Sequence, residues 1–306
     1  MRLDKRLKEA HPDLSWRKVR DAIEKGQVSV DGRVQQDPGL GVLTGATIVL
    51  DRNRPAQLKV RTNLDILHED EHILVLNKPA GLLSIPSSPG LGGSEDTVLR
   101  RVREYMAFKR GHKTYVGMLH RLDRDTSGAL AVALSKDAHA AGREQFKHHK
   151  FERHYLAIVQ GVPDPPSGTI EARISTGYRS GRRKLVDEDD EGLEASTDYR
   201  VREKLKGAAL LELRLHTGRQ HQIRLHLERL GHPLVGERVY TARTVRMVRG
   251  DKPSGLSSPA PAKRNMLHAW TLAFPHPLTK VRVSVEAPLP ADFETLLARL
   301  RHGRSR

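Results

Sequence analysis

Residues 118–128 read MLHRLDRDTSG and contain two carboxylates, Asp123 and Asp125, which alternate with Arg121 and Arg124. The stretch runs into GALAVALS, a continuous series of small, mostly apolar residues typical of a buried central strand. Its polar residues are therefore predicted to lie at one end of a sheet. A buried carboxylate there needs a partner, or it loses its charge. An arginine close by lowers the pKa of a carboxyl group by about one to three units and keeps it available as a nucleophile or base.

The two aspartates differ in their local setting. Asp125 belongs to Asp-Thr-Ser-Gly, in which a side-chain hydrogen bond to the nearby backbone is common, and this favours a role as a turn former. Asp123 lies between Leu122 and an arginine, before the turn, and suits that role less well. From the residues alone, a catalytic carboxylate and an ion-paired surface loop both remain open.

The charge of the chain predicts its class of partner. The 306 residues include 53 Lys and Arg against 37 Asp and Glu, a formal net charge of +16. Such an excess favours nucleic acid, because cations that neutralise phosphates release bound counterions. No basic amphipathic helix with an apolar aromatic face argues for a membrane surface, and no segment is long enough to span a membrane. The charged N terminus lacks the apolar core of a signal peptide, so a cytoplasmic protein is expected.

Several kinds of chemistry are excluded or disfavoured. Cysteine is absent, which excludes disulfides, thiolate nucleophiles and cysteine-ligated metal centres. The histidines at 216, 221 and 226 recur every five residues, about 140° apart on a helix, so we expect no metal site. GLGG at 90–93 does not follow a strand and has no Gly-Lys-Ser/Thr continuation. The sequence also lacks Gly-x-Ser-x-Gly. These exclusions leave the stretch at 118–128 as the place for chemistry.

Residues 1–52 are predicted to form a small helix-plus-hairpin module. Ser15 is expected to cap a helix that ends before Gly26, with Trp16, Val19, Ala22 and Ile23 on its apolar arc. A tight hairpin is expected at Asp31-Gly32, and TGATIVL (44–50) reads as a closing strand. The polar, basic segment 53–63 reads as a linker.

Residues 64–306 are predicted to form the main domain. Apolar strand patterns alternate with hairpins and isolated helices, which favours an α+β fold with a central mixed, largely antiparallel sheet flanked by helices and loops. Segments 84–96 and 249–264, rich in Ser, Pro and Gly, are expected to be surface loops. A charged tip is expected at 181–195, within a strand meander over 170–216. A helix is expected directly after the turn at Gly218, with Gly231 at its end.

Residues 120–128 resemble the signature H-R-L-D-x-x-T-S-G of the RluA-type pseudouridine synthases. LHEDEHILVLNKPAGLLS resembles the segment that opens that family's catalytic domain, and RHYLAIVQG resembles its tyrosine-bearing strand, although His154 departs from the usual pattern. HTGRQHQIRLHLERLGHPLVGERVY resembles its arginine-bearing motif, and MLHAWTLAFPHP its late strands. The resemblance covers about residues 64–300. Residues 1–50 resemble the alpha-L RNA-binding module that often precedes this domain.

The resemblance implies that the protein isomerises uridine to pseudouridine in structured RNA, with the uridine flipped out of its stack. It implies Asp123 as the essential carboxylate, Arg224 as its partner and Tyr155 as the active-site tyrosine. It implies neither a cofactor nor a metal. The residues expected to contact RNA are Arg121, Arg124, Arg219, His221, Arg17, Lys18, Arg20 and Lys25.

Other functions remain open at this point. A non-catalytic RNA-binding or ribosome-assembly factor on the same scaffold is one alternative, and a tRNA-directed pseudouridine synthase is another. A third is a hydrolase that uses Asp123 and Asp125 as a carboxylate pair. The module ahead of the domain resembles the architecture of large-subunit ribosomal RNA enzymes, which makes that RNA the expected substrate. We expect a monomer, since no apolar surface stripe suggests an obligate interface.

Overall fold

A computed structural model describes residues 1–54, 64–87, 95–177, 182–187, 190–240 and 261–302. Parts of the expected linker at 53–63, the expected loops at 84–96 and 249–264 and the charged tip lie outside these residues. The described residues fall into two compact units. The first holds those up to residue 54 together with Glu104–Gly111, and the second holds the others. The domain boundaries at 52 and 64 stay a prediction.

The N-terminal part of the first unit contains two helices and a small antiparallel sheet. Its elements are α1 (Leu3–Ala10), α2 (Trp16–Glu24), β1 (Val28–Val30), β2 (Arg33–Gln35) and β3 (Ile48–Leu50), with strand order β2-β1-β3. The predicted hairpin turn is present: φ is 51° at Asp31 and 78° at Gly32, and two positive values are what a type I′ turn requires. The closing strand is shorter than the expected 44–50.

Helix α2 has the predicted cap and the predicted buried face. The Ser15 hydroxyl accepts a hydrogen bond of 3.3 Å from the backbone N of Lys18, which satisfies one of the free donors of the first turn. Val19, Ala22 and Ile23 are buried in the apolar cluster of this unit. The spacing of three and four residues therefore selects the face that packs.

Trp16 corrects the prediction for the apolar arc. Its side chain is 47% exposed, although the helical wheel places it beside Val19 and Ile23. Trp16 is the first residue of the helix, and the buried cluster begins one turn later. Helical spacing sets the direction of a side chain but not how far along the helix the core extends.

The second unit is built on a large sheet. In chain order the remaining elements are β4 (Ile66–Glu69), β5 (Ile73–Lys78), α3 (Val98–Arg110), β6 (Gly117–Met118), β7 (Ser127–Ala133), α4 (Lys136–Lys147), β8 (Glu152–Gln160), β9 (Ser167–Ser175), β10 (Leu185–Val186), β11 (Gly192–Leu205), β12 (Ala208–Leu215), α5 (Gln222–Arg229), β13 (Leu267–Pro275), β14 (Arg282–Glu286) and α6 (Ala291–His302). The last residues of α3 belong to the first unit.

The sheet is mixed but mostly antiparallel, as predicted. Its eleven described strands follow the order β10-β9-β11-β12-β8-β13-β7-β5-β4, with β14 paired to β13 and β6 paired to β7. The pairing of β13 with β7 is parallel, whereas the other pairings among the described strands are antiparallel. The α+β class expected from the irregular order of elements is confirmed.

Helices cover the sheet at two apolar clusters. Ala138 of α4 packs in one cluster with Phe151 and Phe274, whose rings stack 4.5 Å apart. Helix α6 packs in the other, where Phe293 and Leu297 meet strand β8. Of the helices in the described ranges, none is long and apolar enough to cross a membrane.

The strand order places the HRLD stretch near β8, with only β13 between them. Ala269 of β13 pairs with Gly128 at the start of β7 and with Tyr155 of β8. The loop that carries Asp123 directly precedes β7, so it reaches the sheet two strands from Tyr155, about 10 Å away. Helix α5 follows β12, which pairs with the other edge of β8. The sheet therefore directs three separate segments toward one end.

Candidate active site

A pocket lies at that end of the sheet. Asp123, Tyr155 and Arg224, from the loop before β7, from β8 and from α5, line it together with His221 and Arg121. The structure thus brings together the three residues that the family resemblance assigns to catalysis. Their contacts decide what each of them can do.

Arg224 is the link between Asp123 and a second carboxylate. Its Nη1 lies 3.5 Å from Asp123 Oδ2, across 101 residues of sequence. Its Nε and Nη2 each donate a hydrogen bond of 2.8 Å to the carboxylate of Glu237. Arg224 is therefore held in a bidentate pair by Glu237 and approaches Asp123 with its remaining nitrogen.

Glu237 is itself fixed by the backbone. Its Oε1 accepts hydrogen bonds of 3.0, 2.8 and 3.2 Å from the backbone N of Arg238, Val239 and Tyr240. Its side chain is 1% exposed. Burial alone would raise the pKa of Glu237, but its hydrogen bonds to Arg224 and the charge of that arginine lower it. Glu237 therefore stays ionised and anchors the guanidinium.

The guanidinium of Arg224 stays charged despite its burial. Burial alone would lower the pKa of Arg224, but the hydrogen bond and charge of Glu237, followed by the charge of Asp123, raise it above its ordinary value. The ring of Tyr240 lies 5.0 Å from the guanidinium carbon, a cation–π contact that fixes the group on its face. Arg224 is thus a permanent cation with a defined position beside Asp123.

His221 is a second neighbour of Asp123. Its Nε2 lies 3.9 Å from Asp123 Oδ2, and its Nδ1 lies 2.7 Å from the Tyr240 hydroxyl. The residue has φ 60°, a left-handed conformation that ends the turn before α5. Burial lowers the pKa of His221, so the ring is mainly neutral at neutral pH. The helix expected to start at Arg219, directly after the turn at Gly218, begins at Gln222, three residues later.

Tyr155 is a buried, protonated phenol. Its side chain lines the pocket and is almost fully buried, and burial raises its pKa to about 12. Arg153, two residues earlier in β8, lines the same pocket and donates hydrogen bonds to backbone carbonyls of Leu215 and Thr217. At neutral pH, Tyr155 can therefore donate a hydrogen bond or stack, but its raised pKa does not suit it to act as a base.

The loop that carries Asp123 is anchored by buried side chains that the sequence interpretation missed. Lys78, fully buried at the end of β5, donates hydrogen bonds of 2.8–2.9 Å to the carbonyls of Pro79, Leu82 and Arg124. The Ser84 hydroxyl donates to the Leu122 carbonyl at 2.7 Å and accepts from its backbone N at 3.1 Å.

Arg264 holds the same loop from its other end. It donates to the Asp125 carbonyl at 3.1 Å and forms a bidentate ion pair with Asp292 of α6. Together with Lys78 and Ser84, it satisfies backbone groups of the loop that would otherwise be buried without partners.

Lys78 and Glu237, which the sequence interpretation did not identify, each stand out in their local sequence. A lysine at the end of the apolar strand ILVLNKP is unusual, because lysine is almost never fully buried without partners. Glu237 follows an apolar pair in LVGERVY and lies thirteen residues after Arg224. Neither signal identifies the partner, because pairing depends on how the loops fold over the sheet.

Asp125 and Arg124 pair with each other. Arg124 Nε lies 3.2 Å from Asp125 Oδ1, and both side chains are exposed. Thr126 closes the turn by donating its backbone N–H to the Asp123 carbonyl at 3.1 Å. Asp123 and Asp125 thus have different partners, which gives the carboxylate-pair alternative no support.

The remaining residues expected to contact RNA lie in varied settings. Arg121 is exposed at the pocket rim, and Arg219 Nε donates to the Glu194 carbonyl at 3.0 Å. In the first unit, Arg20 lies 3.5 Å from buried Asp4 and Lys25 lies 2.6 Å from Asp21. Arg17 and Lys18 are exposed on α2. Their contact with RNA stays a prediction.

The three histidines spaced by five residues do not converge. His216 Nε2 lies 2.6 Å from Asp198, His221 faces Asp123, and His226 is fully buried. Within the described ranges, no group of three or more histidine, aspartate or glutamate side chains is arranged to hold a metal ion.

Comparison with known proteins gives two family matches. Residues 72–229 match the RNA pseudouridylate synthase family, and residues 1–48 match the S4 domain. The first match covers Asp123, Tyr155 and Arg224, and the second covers most of the described N-terminal part of the first unit.

Curated relatives match over nearly the whole chain. Ribosomal large subunit pseudouridine synthase D of Xylella fastidiosa is 37% identical over 98% of this chain and 89% of the relative. The protein of the same name from Pseudomonas aeruginosa is 36% identical over 99% and 93%. An uncharacterised RNA pseudouridine synthase of Synechocystis is 36% identical over 98% and 89%.

Solved structures share the fold. Human RNA pseudouridylate synthase domain containing 4 aligns with a TM-score of 0.59 at 26% identity, over 77% of this chain and 92% of that chain. Human RNA pseudouridylate synthase domain containing 1 aligns with a TM-score of 0.56 at 28% identity, over 75% and 84%. The resemblance drawn from residues 120–128 is confirmed by these three kinds of match.

Proposed function

The chain belongs to the RNA pseudouridylate synthase family and is an RNA pseudouridine synthase; on that premise we propose that it modifies large-subunit ribosomal RNA and that Asp123 is its catalytic carboxylate. The observation that carries the assignment of Asp123 is its convergence with Arg224 and Tyr155 from three distant segments on one pocket. Among the acids of the HRLD stretch, Asp123 is the one that faces this pocket's buried arginine.

The reaction defines what the pocket has to supply. The bond between C1′ of the ribose and N1 of uracil breaks, and a bond between C1′ and C5 forms. The C5 proton is lost and N1 gains a proton, so atoms and electrons balance without an oxidant or a phosphoryl donor. The step that needs most help is cleavage of the glycosidic bond, because charge separates between the sugar and the base.

An ionised Asp123 can assist this step in two ways. Its carboxylate can attack the sugar, or it can remove a sugar proton. Both routes require a negative charge on Asp123 and a fixed orientation, and Arg224, anchored by Glu237, supports both at 3.5 Å. The neutral ring of His221 adds a second neighbour at 3.9 Å.

Tyr155 is proposed to contact the flipped uracil. Its hydroxyl is protonated at neutral pH, which suits stacking and hydrogen-bond donation to the base. Any part in the loss of the C5 proton would require the bound base to lower the pKa of the phenol.

The uridine has to leave its stack to reach this pocket. Arg121 at the pocket rim is proposed to contact the displaced nucleotide or its phosphates, with Arg124, Arg219 and His221 near it. In residues 1–52, Arg17, Lys18, Arg20 and Lys25 are proposed to hold RNA backbone, as expected of an S4 domain.

The ribosomal target rests on the relatives. Two of them, named ribosomal large subunit pseudouridine synthase D, match this chain over nearly its whole length at 36–37% identity. The net charge of +16 supports a large polyanionic substrate. We further propose that the protein acts in the cytoplasm, as a monomer, with residues 64–306 as its catalytic domain.

The test maps pseudouridines in total RNA from cells with and without the gene, and from cells complemented with wild type, Asp123→Asn or Asp125→Asn. We expect one or more ribosomal pseudouridines to depend on the gene, to return with wild type and Asp125→Asn, and to stay absent with Asp123→Asn. Asp125→Asn is the matched control, because it removes a carboxylate two residues away that pairs with Arg124.

Two results would contradict the proposal. Restoration of pseudouridine by Asp123→Asn would remove the catalytic assignment. Dependence confined to transfer RNA would replace the proposed substrate while leaving the enzyme class intact. Purified Asp123→Asn is expected to bind the mapped RNA with an affinity close to that of wild type, which separates loss of chemistry from loss of binding.

A further inference from the structure

A second groove opens beside the catalytic pocket. Its floor is apolar and is formed by Ile85, Met118, Leu119 and Phe146. Leu119 is buried, while the other three are partly exposed, so part of this apolar surface faces solvent. We call this surface, with its basic rim described below, the flanking groove. Binding of the target uridine in the neighbouring catalytic pocket does not explain this apolar surface.

The flanking groove shares a wall with the catalytic pocket. His120, Arg121 and Phe146 line both. The rings of His120 and Phe146 stack with centroids 6.0 Å apart and an angle of 9° between their planes. His120 Nε2 accepts a hydrogen bond from the backbone N of Ala131, so this ring is held in place as an acceptor. The two cavities therefore share an aromatic wall of two nearly parallel rings, and Arg121 also lines both.

The rim of the flanking groove is basic. Arg143 and Lys147 lie four residues apart on α4, which places them on the same side of the helix. Both are exposed, and Arg121 adds a third cation at the shared wall. Glu144 also lines the groove and lies 3.8 Å from Lys147, so the rim has an excess of two positive charges.

The groove is built from segments that also position the catalytic loop. The Ser84 hydroxyl, next to Ile85, both donates to and accepts from the backbone of Leu122. Helix α4 approaches Leu119 closely at Gly142, where an added Cβ would lie 2.6 Å from Leu119 Cδ2. The floor and the rim are thus fixed relative to Asp123.

We propose that the flanking groove binds the nucleotide next to the target uridine, with its base on the apolar floor and its phosphate at the rim. The proposal rests on the function proposed above, because it requires an RNA strand to enter the adjacent pocket. A base presents an apolar face of any sequence, and single-stranded RNA sites combine such platforms with cations that follow the backbone. The shared aromatic wall would lie between the flipped uracil and its neighbour.

The test uses a dye-labelled nine-nucleotide RNA, A4-U-A4, and full-length Asp123→Asn protein, which leaves the RNA unmodified. The single uridine fixes the register. Abasic nucleotides are placed directly before the uridine, directly after it, or four positions before it as a control. We expect one of the two adjacent abasic RNAs to bind about tenfold more weakly, as loss of one stacked base predicts, and the distant one to bind within about twofold of intact RNA.

Protein variants assign that loss to the groove. In the same background, Ile85→Ala and Met118→Ala each weaken binding of intact RNA, and neither shows the further tenfold loss with the adjacent abasic RNA. Arg143→Ala/Lys147→Ala weakens binding of every RNA and reduces the slope of log K against log salt by about 0.7, since one phosphate contact on a single strand contributes about that much.

The matched control for the charge change is Lys136→Ala/Arg299→Ala. It removes the same two charges, one from the other end of α4 and one from α6, and both residues are exposed and line neither groove nor pocket. We expect its salt slope to stay that of the parent protein. Thermal unfolding of each variant checks that the fold is retained.

The proposal is overturned if adjacent and distant abasic RNAs bind equally, or if the two double variants have the same salt slope. Failure of the proposed function is read separately, from the pseudouridine map of wild-type cells. A groove that discriminates abasic RNA in a protein without isomerase activity would leave this inference standing and remove the proposed function. Pseudouridine formation without discrimination of abasic RNA would support the proposed function and remove this inference.

Discussion

Glu237 binds the guanidinium of Arg224 through two hydrogen bonds of 2.8 Å, while the remaining nitrogen of Arg224 lies 3.5 Å from Asp123. The arginine is therefore anchored by one carboxylate and presented to another. Because both Arg224 and Glu237 are buried, the position of the cation beside Asp123 depends on an acid that is not among the residues lining the pocket.

Replacing Glu237 with Gln should impair both catalysis and stability. The variant keeps an acceptor for the backbone N–H groups but leaves Arg224 as a buried cation without its paired charge, which costs about 3–5 kcal/mol. The guanidinium also loses its fixed position, and misplacement by about 1 Å can cost about a hundredfold in rate. Single-turnover isomerisation and denaturant unfolding measure the two effects.

The control for this substitution is Glu203→Gln, which breaks the bidentate pair between Glu203 and Arg301 at the surface. We expect less than about 1 kcal/mol there and no change in rate. A Glu237→Gln protein with a single-turnover rate within twofold of wild type would show that Arg224 is positioned without Glu237.

Lys78 should make stability depend on pH above neutrality. Burial lowers the pKa of Lys78 from 10.5 to about 7. Between pH 7 and 9 the unfolded chain holds more protons at this site than the folded chain, so the free energy of unfolding rises with pH. The slope is at most about 1.4 kcal/mol per pH unit, and it vanishes below pH 7, where both states are protonated.

The matched comparison is Lys78→Met, which keeps an unbranched side chain at this position and removes the titrating group. The variant should be less stable overall, because carbonyls of Pro79, Leu82 and Arg124 lose their donor. Its free energy of unfolding should lack the rise between pH 7 and 9 that wild type shows. Equal slopes in the two proteins would mean that Lys78 stays protonated throughout.

Glu228 should act with the opposite sign, one helical turn after Arg224. Burial, followed by repulsion from Glu237, raises the pKa of Glu228 from 4.5 to about 7. The folded chain therefore holds more protons there between pH 4.5 and 7, and wild type loses stability as pH rises through that range. Glu228→Gln, which carries no charge, should gain roughly 2 to 3 kcal/mol relative to wild type between pH 5 and 8.

Denaturant unfolding of both proteins at pH 5, 6.5 and 8 measures this difference. Glu294→Gln, an exposed substitution on α6, serves as the control for the removal of one carboxylate from the surface. A constant difference for Glu228→Gln would indicate that Glu228 titrates normally in the folded protein.

Gly128 should not tolerate a side chain. Its φ is 114°, and an added Cβ would lie too close to the backbone carbonyl oxygen of Ala269 in the neighbouring strand. Gly128→Ala should therefore combine the cost of a positive φ, about 1 kcal/mol, with a backbone clash that separates β7 from β13. Thermal unfolding and the yield of folded protein measure the effect.

Gly231→Ala separates these two costs. Gly231 has φ 86°, but an added Cβ would meet no atom within 4 Å. We expect it to lose about 1 kcal/mol, while Gly128→Ala loses clearly more. Equal losses would mean that β13 moves aside without cost.

The parts of the fold that follow local patterns were predictable. The hairpin at Asp31-Gly32, the cap at Ser15 and the strand after the HRLD stretch each depend on a few neighbouring residues, and each is present. The exposure of Trp16 was not predictable in this way, because a helical wheel carries no information on where the buried cluster ends.

The residues of the candidate site show the same distinction between what a short motif predicts and what depends on the whole fold. Asp123, Tyr155 and Arg224 were identified by resemblance of short motifs, and the structure brings them to one pocket. Glu237 and Lys78 were missed, because their roles depend on burial and on partners fixed by the fold. A charged residue in an apolar motif signals that a partner exists, but only the structure shows that the partners are Arg224 and three backbone carbonyls.

The position of β13 determines when, during synthesis of the chain, the central sheet can be completed. Strands β7 and β8 are separated by only 18 residues, yet they do not pair, because β13 lies between them and comes more than a hundred residues later. A nascent chain that ends before Leu267 lacks the strand that joins β7 to β8, at the place where Asp123 and Tyr155 should meet. We therefore expect the site to form only after β13 has been added, so that truncation before Leu267 abolishes activity although none of the three catalytic candidates lies beyond Arg224.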